Sequence, residues 1–258
     1  MKILVCVKQV PDSESPIKID NDSGWIRMDE ITEFKMNRLD EFALEEALVI
    51  KEASQNVSID AITVGPGRSV EVIKRAIGMG ADRGIHIFTE FEGYQNSLQI
   101  SNGIAEFVRD RNYDLILTGA MSEDNMQGLV GPMLASRLGL PWATSVISLK
   151  LATDKNSVYV EREIEGGNRD TVVLNLPAVL TVQSGINSPR YPSLSNLLRA
   201  NRQELKTIRA KDLAVQASRE DLIEIVYPQK SRAGQVLQGS QEAKAAQLLE
   251  ILYQKSLL

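Results

Sequence analysis

Apolar and polar positions alternate along the first half of the chain as short apolar runs, each followed by a stretch with helical spacing. That pattern is the signature of β-α units feeding a parallel sheet. Ile3 to Val7 is predicted to be the first strand, and Leu39 to Ala53 a helix with Phe42, Ala43, Ala47 and Ile50 at helical spacing. Ser58 to Val64 reads as the second strand, closed by Gly65-Pro66-Gly67, and a helix follows from Ser69 to about Met79, ended by Gly78, Gly80 and the turn Ala81-Asp82. Gly84 to Phe88, a helix from Ser97 to Arg111, and Asp114 to Thr118 continue the alternation. The residues from Gly119 hold no strand pattern until a helix begins at Gly131 and stops at Leu138, before Gly139-Leu140-Pro141. The expected class is α/β.

The second half changes character. Ser145 to Leu151, Ser157 to Arg162, Thr171 to Leu176 and Ala178 to Val182 read as strands, with Gly166-Gly167-Asn168 as a hairpin turn because glycine and asparagine tolerate positive φ. Asn187, Pro189 and Pro192 break the chain before a short helix from Ser193 to Asn201. From Lys206 the pattern weakens: Asp221 to Val226 is expected as a strand, then a polar stretch runs from Tyr227-Pro228 past Ser231, Gly234 and Gly239. Gln241 to Leu257 is amphipathic, with Ala245, Leu248, Leu249 and Leu252 in a stripe. Such a tail cannot form its own core, so it packs either on its own sheet or on another chain. The predicted division is a domain over residues 1–205 and an arm over 206–258.

Composition narrows the function classes. The formal net charge is −5, the wrong sign for sequence-independent nucleic-acid binding. With one cysteine, Cys6, no internal disulfide can form, which fits a reducing compartment. The apolar run at the start is bounded by Lys2 and Lys8 and is too short for a signal-peptide core or a membrane span, so a cytoplasmic protein without membrane insertion is expected.

Parallel sheets bind ligands beyond the carboxyl ends of their strands, where helix N-termini favour anions. Three loops fall there: Lys8 to Asp12, Gly65 to Arg68, and Gly119 to Gly131. In the third, Gly119, Gly128 and Gly131 would let backbone approach a phosphate, and the absence of lysine and arginine leaves N–H groups to hold it. A plain glycine-rich connection is the competing reading, since the loop matches neither the Walker A pattern nor Gly-x-Gly-x-x-Gly. His86, the one histidine, sits in an apolar strand and reads as structural, and Cys6 as a small buried hydrophobe. Glu123 with Asp124 reads as a solvated loop rather than a metal site. No nucleophile–base–orienter set is visible, and a binder or carrier is expected.

Longer matches sharpen this. Val160-Glu-Arg-Glu-Ile-Glu-Gly-Gly-Asn168, Leu176-Pro-Ala-Val-Leu-Thr-Val182 and Ile186-Asn-Ser-Pro-Arg-Tyr-Pro-Ser-Leu-Ser-Asn196 are similar to the signature of electron-transfer flavoprotein β subunits. Val5-Cys-Val-Lys-Gln-Val-Pro-Asp12, Met36-Asn37, Ala43-Leu-Glu-Glu-Ala47, Val64-Gly-Pro66 and Met79-Gly-Ala-Asp82 match as well, in family order over nearly the whole chain. The resemblance implies a Rossmann-like adenine-nucleotide-binding domain with a C-terminal arm embracing an α subunit that carries most contacts to a redox-active FAD. It implies a carrier between dehydrogenases, such as acyl-CoA dehydrogenases of fatty acid oxidation, and a quinone-linked oxidoreductase. Ordinary members hold AMP in β; electron-bifurcating members, reduced by NADH, hold a second FAD there.

Carried over by position, the resemblance implies a nucleotide pocket of Cys6, Asn37, Arg38, Leu39, Asp40, Val64, Gly119, Ser122, Asp124, Asn125, Met126, Gln127, Gly128, Leu129 and Val130. Leu129 stands where most relatives have glutamine and Val130 where AMP-binding members have threonine, so the pocket leans on backbone N–H groups. Val130 and Lys8-Gln-Val-Pro-Asp12 look like the bifurcating branch, Arg162-Glu-Ile-Glu-Gly-Gly167 like the AMP branch, which is preferred here. Leu194, flanked by Tyr191 and Pro192, matches the anchor for partner dehydrogenases, and Glu163 a position that pairs with the α subunit's mobile flavin domain. A stand-alone ATP-binding stress-type protein that self-associates is the competing class.

Overall fold

The computed structural model describes residues 1–20, 24–27, 31–213, 220, 222–228 and 234–257. The chain divides into two compact units, Met1–Glu224 and Ile225–Leu258.

The first unit is built on a nine-stranded sheet. Its strands are β1 (Lys2–Cys6), β2 (Ser58–Gly65), β3 (Arg83–Phe88), β4 (Leu115–Gly119), β5 (Trp142–Leu151), β6 (Ser157–Glu163), β7 (Arg169–Asn175), β8 (Ala178–Val182) and β9 (Lys206–Arg209). They lie in the order β7-β6-β5-β8-β4-β1-β2-β3-β9. Every neighbouring pair from β5 to β9 is parallel, while β5–β6 and β6–β7 are antiparallel. The central strands are apolar on both faces because helices cover both. Helices α1 (Arg38–Ala53) and α2 (Val70–Met79) pack on the face carrying Ile3, Val5, Ile59, Leu115 and Leu117. Helices α3 (Ser97–Val108) and α4 (Val130–Leu138) pack on the face carrying Leu4, Ile62, Ile85, Ile87 and Ile116. The hairpin β6–β7 turns through Gly166 and Gly167, both near φ +74°, a conformation that penalises any Cβ.

The strand β9 departs from the expected order. Only Ile208 of its four residues is partly buried, which hid it from pattern reading, and it pairs with β3 as the sheet's edge. Lys206 and Arg209 make that edge unattractive to other strands. The expected boundary at residue 205 falls just ahead of this strand. The strand expected over Asp221 to Val226 is not formed by its described residues, and Asp221 lies outside them. Ile223 is 95% exposed and a strand needs a ladder to pair with, which the segment lacks. The second unit holds α6 (Gln241–Gln254), capped by Ser240, whose Oγ accepts from the Ala243 amide. Leu248 and Leu249 of its stripe are exposed, as is Tyr253 beside them. Of the polar stretch before it, residues 229–233 lie outside the described residues.

The segment leading into α5 (Leu194–Arg202) is tied to α1 by charge. Arg190 donates from its backbone amide and from Nε and Nη2 to Glu45, whose side chain is only 7% exposed, and from Nη1 and Nη2 to Glu52. These two carboxylates raise Arg190 above the ordinary guanidinium value. Asn187 donates to the Phe42 carbonyl and to Glu46, and Gly78 leaves space for Leu197 and Pro192 against α2. Arg190→Ala should destabilise the chain by about 1–3 kcal/mol in urea unfolding, because it strands a buried carboxylate. Arg190→Lys should recover only part of that, since an ammonium cannot fork across two carboxylates; full recovery would contradict the geometry.

Candidate functional site

The connection from β1 through α1 and β2 runs one way across the sheet, whereas β4 returns to the other side of β1. The two adjacent carboxyl ends therefore form a switch point, where open α/β sheets leave a crevice. A cleft opens there. It is lined by Cys6 at the end of β1 and Lys8 beyond it, Asn37 and Asp40 at the start of α1, Val64 and Gly65 at the end of β2 with Pro66 and Arg68 beyond, and the loop into α4.

Asp40 holds the switch point together. Its carboxylate accepts from the Lys8 amide at 2.7 Å and the Gly119 amide at 3.0 Å, joining the first residues past β1 to the last of β4. Burial pushes its carboxyl up to about 7, against the Lys8 amide, Asn37, the Gly119 amide and the Lys8 charge, all of which favour the anion. Burial, then the Asp40 charge, push the Cys6 thiol up, so Cys6 stays protonated. Asn37 precedes α1 but does not cap it, because its side chain is used elsewhere. Nδ2 donates to the Met121 carbonyl at 2.9 Å and Oδ1 accepts from the Glu123 amide at 3.0 Å. Lys8 Nζ donates to both oxygens of Asp124 at 2.7 Å and to Ser122 Oγ at 3.2 Å. The loop between β4 and α4 is thus fastened from two sides.

That loop ends in backbone fit for an anion. Gly128 has φ +65°, and α4 starts without a side-chain cap at Leu129, leaving its first-turn amides to an outside acceptor. The glycines divide their roles differently from expectation. A Cβ at Gly119 would collide with Asp40 and Leu39, and one at Gly131 with Thr181, so these two serve the fold's own packing.

Of the residues expected in the pocket, Cys6, Asn37, Asp40, Val64, Gly119, Ser122, Asp124, Asn125, Gly128, Leu129 and Val130 line the cleft. Four are directed elsewhere. Arg38 pairs with Glu41 at 3.0 Å, Leu39 packs into the core under α1, Met126 is 68% exposed, and Gln127 bonds Ser97 and Tyr94. The cleft also gains Lys8, Arg68, Trp25, Phe34 and Tyr94. Lys8 and Arg68 sat within loops flagged by strand order; the aromatic residues came from segments with no pattern to mark them. His86 is buried and its Nε2 lies 2.9 Å from the Gly65 carbonyl, a structural bond behind the β2 loop. No cluster of metal-ligating side chains occurs among the described residues.

A separate surface lies on the anchored segment. Tyr191 is 90% and Leu194 74% exposed, while Pro192 is half-buried beside α2. Ser193 caps α5 by accepting from the Asn196 amide, so Leu194 projects from the first residue of a fixed helix. Glu163 is exposed at the end of β6, opposite Arg169 in the hairpin.

Comparison with known proteins decides the family. The Electron transfer flavoprotein domain matches residues 26–213. The mitochondrial electron transfer flavoprotein subunit beta of Arabidopsis thaliana is 36% identical over 91% of this chain and 92% of its own length. The electron transfer flavoprotein subunit beta of Methylophilus methylotrophus is 31% identical, with 98% of each chain covered. That of Bacillus subtilis is 32% identical over 98% of this chain and 97% of its own. This chain belongs to the electron-transfer flavoprotein β-subunit family. Among the described residues no helix is long and apolar enough to cross a membrane.

The raised Asp40 carboxyl gives a signed pH prediction. Its folded value, about 7, lies above the roughly 4 of an unfolded aspartate, so the folded state binds the proton more tightly. Its contribution is fully present below pH ~4, is lost as pH rises to about 7, and is flat beyond, by on the order of 2–4 kcal/mol. Denaturant unfolding between those limits should show this decline, and Asp40→Asn should lack it. An identical slope in the variant would place the titration elsewhere.

Proposed function

We propose that the chain is the β subunit of a heterodimeric electron carrier: the partner α subunit holds most of a redox-active FAD, and this chain holds AMP as a fixed structural group. Dehydrogenases, acyl-CoA dehydrogenases among them, supply the electrons and a quinone-linked oxidoreductase receives them. The FAD supplies the electron-accepting chemistry when bound, and the residues here bind and dock. The observation that carries the reading is the switch-point cleft, whose loop is fastened by Asn37 and Lys8 and whose α4 amides are uncapped. No catalytic constellation is needed for such a role. The residues fit a nucleotide: buried polar atoms without a partner among the described residues, on Gln9, Thr63 and Arg68, belong to side chains that line the cleft.

Docking falls to Leu194. A leucine held out on an anchored helix end buries on contact without reorganising the chain, contributing roughly 1.5–3 kcal/mol. Glu163, exposed on the β hairpin, would pair with the partner's flavin domain and bias it between docked and released arrangements. Of the predicted arm over residues 206–258, the part beyond β9 embraces the partner, with the exposed leucines of α6 as its apolar face.

A bifurcating subunit with a second FAD in the cleft and NADH as donor is the reading favoured by Val130, which offers no hydroxyl at the α4 start. Co-expression with the α subunit, denaturation and chromatography of the released nucleotides separates the two. One FAD and one AMP per heterodimer is expected; two FAD and no AMP would establish the bifurcating reading. A colourless chain that only self-associates would remove both and favour a stand-alone ATP-binding protein. Leu194→Ala should lower dehydrogenase-driven flavin reduction about tenfold or more at unchanged flavin content. An unchanged rate would move the docking surface away from this helix.

A further inference from the structure

The cleft brings two side-chain cations toward a ligand, Lys8 and Arg68, and they differ in one respect. Lys8 Nζ already sits at 2.7 Å from both oxygens of Asp124, whose side chain is only 10% exposed, so its charge is matched within the protein. Arg68 has no such hydrogen-bonded ion pair among the described residues. Its Nε and Nη1 are buried and make no hydrogen bond among the described residues. The guanidinium lies 4.4 Å over the Phe34 ring, which orients it without satisfying its N–H groups. Glu92 is the carboxylate that acts on it electrostatically.

Two further orphans line the same cleft. Among the described residues Thr63, 1% exposed, has no partner for Oγ1, and Gln9 donates through Nε2 to the Arg68 carbonyl at 3.1 Å while its buried Oε1 has no partner. Buried donors and acceptors left this way are costly, and a cation more so, unless a ligand meets them. The uncapped α4 amides lie past β4 and Arg68 past β2, with β1 between them. A nucleotide seated in the cleft therefore meets backbone donors from one side and, from the other, a guanidinium with two nitrogens that make no hydrogen bond among the described residues.

We propose that Arg68 is the phosphate counter-ion of the cleft and sets its preference for a nucleoside 5′-phosphate over the bare nucleoside. The assignment rests on the adenine-nucleotide reading above and adds the charge that the glycine loop lacks. Arg68 positions the phosphate against the α4 amides, while Lys8 keeps the loop closed through Asp124. Charge-assisted bonds of this kind are about twice as strong as neutral ones, so the effect should be large and confined to the charged ligand.

The test is calorimetric titration of the full chain, freed of bound nucleotide, with AMP and with adenosine. The wild type should bind AMP about tenfold or more tightly than adenosine. Arg68→Gln should bring the two affinities to within about threefold by weakening AMP alone, and Arg68→Lys, which keeps the charge, should retain more of the difference. Equal loss of AMP and adenosine binding in Arg68→Gln, an unchanged ratio, or an Arg68→Lys ratio no better than that of Arg68→Gln would overturn the assignment. A wild type that binds both ligands alike would remove Arg68's role but leave the nucleotide reading standing. A wild type that binds neither would remove both.

Discussion

The site depends on one buried carboxylate. Asp40 accepts amides from the first residues past β1 and from the end of β4, strands that are neighbours in space but far apart in sequence. The clamp ties the floor of the crevice to the residue from which the loop into α4 departs. A collision with Asp40 and Leu39 keeps position 119 free of a side chain, so the clamp and the glycine require each other. The cost is a carboxylate in a dry place, which is why its proton is held more tightly than usual.

Around that floor, polar side chains bind loop rather than solvent. Asn37 gives up the capping role its position offers in order to hold Met121 and Glu123, and Lys8 is taken by Asp124 and Ser122. Helix α4 begins without a side-chain cap at Leu129 among the described residues. The docking segment follows the same logic at another place: Arg190 and Asn187 fix the chain to α1 so that Leu194 and Tyr191 stand out. In both places polar bonds hold the backbone still, and the groups left over face outward to a ligand or a partner.

Much of the fold was legible because burial and periodicity coincide in a parallel sheet. The strands from Leu115 and Ala178 are nearly uniformly apolar, that from Ser58 is mostly apolar, and the helices between them carry one apolar face. Reading failed where burial is partial: β9 shows one half-buried isoleucine among charges, and Ile223, within the run expected as a strand, is exposed and in no strand of the described residues. The site was legible to the extent that strand ends and glycines mark it, which found Ser122 and Gly128, whereas Asp40 came only from the family resemblance. It was not legible for side chains whose direction depends on tertiary packing. Arg38 and Gln127 turn to neighbours of their own, and Trp25, Phe34 and Tyr94 reach the cleft from segments with no periodic signal, whereas Arg68 lies in a loop that strand order had flagged.

Crystallography of the chain with AMP, alone or with its α subunit, tests the central claim most directly. The account predicts the phosphate on the amides of residues 128–130, with the loop held by Asn37 and Lys8 as described. A nucleotide bound elsewhere, or a loop packed shut over the carboxyl ends of β1 and β4 with no room for one, would contradict it.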